Sequence, residues 1–214
     1  MSPDAGGGLA RAVPSGWSRA LPSAPASVTV IKDAAGRYFA SFVVETGPAA
    51  DAARFPAPDT GAEVGIDLGL TSFAVLSDGT VVRSPRFLRR AERKLRRLQK
   101  SLSRKAAGSS NREKARVKVA RAHAKVADSR RDFHHKTSTA IIRDNQAVYA
   151  EDLCVAGLAR TRMAKSVHDA GWSAFVTMLE YKARRYNRYF GKIGGSSRRP
   201  GRARHAAPTA GASR

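Results

Sequence analysis

Apolar and polar positions divide the chain into strand-like and helix-like stretches. Ser27–Lys32 alternates apolar and polar residues, and Arg37–Glu45 is aromatic and β-branched. Asp33-Ala-Ala-Gly36 between them is turn chemistry, so the two predict a β-hairpin. Val64–Gly69 reads as a short buried strand, Ser72–Leu76 as a second and Thr80–Arg83 as a third, with Asp78-Gly79 as the turn of an antiparallel meander. From Pro85 to Arg143 the period changes. Leu88, Ala91, Leu95, Leu98 and Leu102 recur at steps of three and four, and Ala115, Val119, Ala122, Val126 and Phe133 continue the same narrow seam. Gly108-Ser-Ser-Asn111 breaks it, and Ser110 with Glu113 has capping-box spacing, so an antiparallel helical hairpin is expected over 85–143. Ala147–Ala150 predicts a fourth strand ending in Glu151-Asp152. Trp172–Asn187 predicts a helix anchored by Phe175, Met178, Leu179, Tyr181 and Tyr186, and Tyr189–Ile193 a fifth strand. Residues 1–26 and 194–214 lack periodicity and are expected to be disordered, and Thr46–Thr60 reads as a linker.

Charge narrows the function. Thirty-nine Lys and Arg against seventeen Asp and Glu leave a net charge of +22, while 42% hydrophobic residues still permit a core. Such a field suits a polyanion, because each phosphate neutralised releases a condensed counterion. It gives no advantage to an enzyme acting on a neutral small molecule. About half of the basic residues lie in the 85–143 hairpin, opposed there only by Glu92, Glu113, Asp128 and Asp132. The candidate nucleic-acid contacts are Arg89, Arg93, Arg96, Arg97, Lys100, Arg104, Lys118, Lys125, Arg130, Arg131, His135 and Lys136. No stretch reaches the ~18 apolar residues that span a bilayer. Met1–Pro14 lacks the pattern of a signal peptide, and no membrane partner is expected. A single cysteine, Cys154, rules out an intrachain disulfide and a Cys-rich zinc site, and it reads as a small core residue. A cytoplasmic location fits.

Two acids stand out by position. Asp67 interrupts an apolar strand, where an ionised side chain is costly unless paired or bound to a cation. Glu151 follows the apolar strand Ala147–Ala150. In an RNase H-like mixed sheet the first and fourth strands are neighbours, which would bring both carboxylates to one Mg²⁺, a cation that prefers hard oxygen ligands. Each acid also has a plainer reading: Asp67 as a turn residue, Glu151-Asp152 as a helix-starting acidic pair. His123, His134, His135, His168 and His205 show no metal-ligand spacing; His134-His135 reads as a nucleic-acid contact or helix-end cation. Trp172 reads as a buried anchor at a helix start rather than a base-stacking platform.

Four phrases in order carry a resemblance. They are Val64-Gly-Ile-Asp-Leu-Gly-Leu70, then Lys125-Val-Ala-Asp-Ser-Arg-Arg-Asp-Phe-His-His-Lys136 with Ser138, then Tyr149-Ala-Glu-Asp-Leu153, then Ser166-Val-His-Asp-Ala-Gly-Trp172 with Leu179-Glu-Tyr-Lys182. Over about Ser27–Ile193 the chain resembles the TnpB (OrfB) proteins of insertion sequences. The resemblance implies an RNA-guided DNA endonuclease with a RuvC-like domain over 63–193. Asp67 and Glu151 would be catalytic Mg²⁺ ligands, and the basic hairpin would hold guide RNA and its DNA heteroduplex. The strands of 27–62 would be a remnant of a β-barrel preceding the nuclease domain.

The departures are equally specific. Family members are longer and carry, after the fifth strand, a four-Cys zinc module and a third catalytic Asp. Here Gly194-Gly-Ser-Ser-Arg-Arg-Pro-Gly-Arg-Ala-Arg-His-Ala-Ala207 holds neither Cys nor acid, a composition expected of a frameshift at or just after Gly194. No zinc is therefore expected, Mg²⁺ binding should be weakened, and apolar sheet surface should be exposed. The expected function is nucleic-acid binding with impaired catalysis. An active endonuclease would need Asp152 or Asp169 as its third acid. A generic basic RNA-binding protein would leave the two acids unexplained. The Gly65–Ser72 phrase also resembles a phosphate loop of the actin and sugar-kinase group, but no second such loop follows.

Overall fold

The computed structural model describes residues 21–47, 56–58, 61–153 and 164–194. Residues 1–20 and 195–214, most of the 46–60 linker, Cys154 and His205 lie outside them. The elements are β1 (Ser27–Lys32), β2 (Tyr38–Val43), β3 (Glu63–Asp67), β4 (Ser72–Leu76), β5 (Val81–Arg83), α1 (Phe87–Ser103), α2 (Ser110–Asp144), β6 (Ala147–Asp152), α3 (Ala164–Ala170), α4 (Trp172–Arg185) and β7 (Tyr189–Gly194). They form a two-stranded sheet β1-β2 and a five-stranded mixed sheet in the order β5-β4-β3-β6-β7. The meander β3-β4-β5 is antiparallel, whereas β3, β6 and β7 run parallel. This α/β arrangement is compatible with an RNase H-like fold.

The β1-β2 turn closes on Asp33. Its Oδ1 accepts the backbone N–H of Ala35 and of Arg37, each at 2.9 Å, and Gly36 takes φ 77°. The turn docks on α2: Ala35 is buried, Arg121 Nε donates to its carbonyl at 3.2 Å, and Arg37 pairs with Asp128. The strands themselves stay exposed.

One face of the larger sheet is covered. Val64, Ile66, Phe73, Leu76, Val148 and Ala150 pack with Ile141 and Ile142 of α2, Val167 of α3 and Trp172, Phe175 and Leu179 of α4. Period-2 alternation sends Gly65, Asp67, Val75, Tyr149 and Glu151 to the other face. That face is open: Val75, Val81, Tyr189 and Ile193 are 38, 55, 58 and 56% exposed. The expected exposed apolar sheet surface is therefore present.

Several local readings need correction. The cap of α2 is Ser109, whose Oγ accepts the Arg112 N–H at 3.1 Å, not Ser110, because Gly108 at φ 74° turns the chain one residue earlier. The helical hairpin runs from Phe87 to Asp144 rather than 85 to 143. Helix α3 has no counterpart among the sequence-based elements. Tyr181 is 42% exposed and is no core anchor; the buried positions on that side of α4 are Lys182 and Ala183. Trp172 is buried, as expected.

His134 is neither a nucleic-acid contact nor a helix-end cation. It is 1% exposed within α2, with its ring against Phe73, Phe133 and Phe175, and Nε2 lies 2.8 Å from the Ala170 carbonyl. Burial lowers its pKa, so the neutral ring with Nε2–H donating is the form that fits.

Candidate functional site

The candidate acids come from neighbouring strands. Strands β3 and β6 pair from Glu63↔Ala147 to Ile66↔Ala150, so the next step along the register sets Asp67 beside Glu151. Both line an open depression of about 450 Å³ on the uncovered sheet face, with Gly65, Val75, Tyr149 and Ile193. Asp67 is exposed and Glu151 half-buried, so water and a ligand can reach both. Two hard carboxylates at one strand edge suit a single Mg²⁺ that keeps most of its waters.

Among the described residues no further acid extends the pair. Strand β7 places Ile193 opposite Glu151. Asp152 follows Glu151 and so alternates to the other side of the strand. Asp169 is engaged elsewhere: its carboxylate accepts the N–H of Leu88 at 2.8 Å and of Arg89 at 3.4 Å, and lies 3.7 Å from Arg130. It caps the start of α1 from α3. Among the described residues no group of three His, Cys, Asp or Glu could hold a metal. The segments 154–163 and 195–214 contain no Asp or Glu.

The basic hairpin is built as the seam predicts. Leu95, Ala115 and Val126 are buried between α1 and α2, while Arg89, Arg93, Arg96, Arg97 and Lys100 of α1 are exposed, as is Arg104 just past its end. On α2, Lys118, Lys125, Arg131, His135 and Lys136 are exposed, and Arg130 is half-buried. Arg96 pairs with Glu92 at 2.5 Å and Lys136 with Asp132 at 2.7 Å. Such exposed pairs contribute little and leave both cations open to a phosphate.

A functional-looking group that sequence reasoning missed is Lys182. It is 4% exposed, and its ammonium donates to the His135 carbonyl, Ser138 Oγ and Thr139 Oγ1, each at 2.7 Å, tying α4 to α2. Burial pulls its pKa from 10.5 down to about 8. Below pH 8 the lysine is charged in both folded and unfolded chains. Between about 8 and 10.5 only the unfolded chain holds the proton, so this lysine makes stability rise with pH. Urea unfolding should show that rise, of up to roughly 3 kcal/mol, and Lys182→Met should abolish it. A Lys182→Met chain with the same pH dependence as the native one would refute the assignment.

Comparison with known proteins places the chain in a family. The model of a family described as "Probable transposase" (OrfB_IS605) matches residues 41–162. A Streptomyces pristinaespiralis protein named "Putative RNA-guided DNA endonuclease" is 46% identical over 175 residues, covering 80% of this chain and 42% of that protein. The Escherichia coli (strain K12) protein named "Putative RNA-guided DNA endonuclease InsQ" is 30% identical over 188 residues, 78% of this chain and 45% of that one. The chain belongs to the TnpB/OrfB family. It spans less than half the length of these two relatives. The matched region runs from β2 through β6, and so contains the helical hairpin and both acids of this TnpB-like chain. Among the described residues no helix is long and apolar enough to cross a membrane.

Proposed function

We propose that this TnpB-like chain binds RNA and DNA through the cationic faces of α1 and α2, and that as it stands it does not sustain cleavage. The observation that carries the reading is an arginine-rich hairpin beside a strand edge that holds, among the described residues, only two carboxylates. On this reading 63–193 forms a RuvC-like domain and the β1-β2 hairpin belongs to a separate β unit before it. Asp67 and Glu151 would hold one Mg²⁺. When bound, that ion would polarise a phosphodiester oxygen. Two-metal cleavage needs carboxylates enough to hold and neutralise both ions, and here Ile193 stands where the row of acids would continue. The partners are a guide RNA and its DNA target; the protein would follow backbone shape while base pairing reads sequence.

Filter binding across a salt series, beside plasmid cleavage with Mg²⁺ and co-purified RNA, tests this. Binding should weaken steeply with salt, and Asp67→Ala should change neither binding nor cutting. Cutting that disappears in Asp67→Ala would show an active endonuclease and overturn the impairment.

A further inference from the structure

We propose that a partly open cavity at the root of the helical hairpin is a phosphate-binding site that grips one backbone phosphodiester of the bound strand. The proposal rests on the nucleic-acid reading above and deepens it. The cavity holds about 250 Å³ and lies between the loop after β3, the segment before α1, and α3. Arg86, Arg89 and Lys165 line it, with Thr71, Ser84 and Ser166 adding hydroxyls. One carboxylate, that of Asp169, is also present, but it is taken up by two backbone amides of α1 and faces Arg130. Three cations thus stand against one engaged carboxylate. Lys165 is shared with Glu92 at 2.7 Å. Arg86 and Arg89 make no ion pair or side-chain hydrogen bond among the described residues, an unusual state for two guanidinium groups lining one cavity.

Arg86 is held there at a conformational cost. It has φ 48° and ψ 50°, in the left-handed region that disfavours side chains other than glycine. Cations, hydroxyls and an accessible volume are what a tetrahedral phosphate oxyanion requires, and arginine forks match it better than any point charge. Gly69, on the cavity wall, follows Asp67 by two residues, so a phosphate held here would belong to a strand passing the acid edge. None of these residues belongs to the outward face of α1 except Arg89.

The test uses the full chain and a labelled single strand. Arg86→Gly with Arg89→Ala should lower the slope of log affinity against log salt by about 1, the loss of one phosphate contact. The charge-preserving pair Arg86→Lys with Arg89→Lys should still weaken binding about tenfold, because lysine cannot reproduce the fork. Arg184→Lys, exposed on α4 and outside the hairpin, should change it less than twofold. Equal behaviour of the cavity swap and this one overturns the site and leaves the general reading intact. Failure of the native chain to bind any strand with a salt slope defeats the general reading instead. Inorganic phosphate is the second probe: if it raises the melting temperature of the native chain alone, while strand affinity is the same in native and variant, the cavity takes free phosphate and the strand assignment fails. If the double variant is unfolded, Arg86→Gly decides the matter, since glycine accepts that backbone freely; an unchanged slope in it overturns the proposal.

Discussion

A chain with Arg93, Arg96, Arg97 and Lys100 all replaced by Ala is expected to bind duplex between roughly 10² and 10³ times more weakly at 0.1 M salt. Each contact that neutralises a duplex phosphate contributes about 0.9 to the salt slope, or about eightfold at that concentration. Two to three of the four side chains engaged at once gives the range. The fold should not suffer. All four residues are exposed, and Leu95 is the only buried residue of α1. Alanine is the better helix former, and Lys165 continues to hold Glu92 after Arg96 is lost. Gel shifts across a salt series with thermal melts alongside separate the effects. A melt within a few degrees of native together with unchanged affinity would move the interface away from this helix.

The same helix shows what could be read in the chain and what could not. Its seam was legible because apolar residues at steps of three and four define one stripe whatever the tertiary context. The neighbouring placement of Asp67 and Glu151 was legible for a similar reason: each stands out at the end of a short apolar run, and parallel pairing of those strands brings them level. Where one residue had to be told from its neighbour, tertiary packing decided. His134 is buried and His135 exposed, although nothing local separates them; Phe73 and Phe175, distant in sequence, select which ring goes inside. Lys182 is buried and Tyr181 exposed because three oxygens from α2 receive the ammonium. Helix α3 has seven residues and too few apolar positions for a period to show. Its stability comes from outside it, through Val167 in the core and Asp169 at the start of α1. The phosphate cavity was illegible for the same reason, since Arg86 and Lys165 are far apart in the chain and meet only when α3 docks.

Replacing Phe175 by Ala should cost about 3–5 kcal/mol, the largest loss of stability expected from any single truncation here. The ring is fully buried where α4 meets the sheet, with its centroid 4.9 Å from that of Phe73 in an edge-to-face pair and 5.7 Å from the His134 ring. Leu179 and Trp172 pack in the same cluster. The cavity left would lie in the only layer that covers this face of β3 and β6, among the described residues. Stability of a domain this size is typically about 5–15 kcal/mol, so the variant would be partly unfolded at modest denaturant. Urea titration followed by far-UV circular dichroism measures the loss, and Tyr181→Ala, half out in solvent, serves as the comparison with a cost under about 1 kcal/mol. Phe73→Ala should be nearly as damaging. The double variant should cost less than the sum, because each single truncation already destroys the ring contact they share. Strict additivity would mean that α4 and the sheet are held by independent contacts. The register of Asp67 with Glu151 would then not depend on the helices behind it.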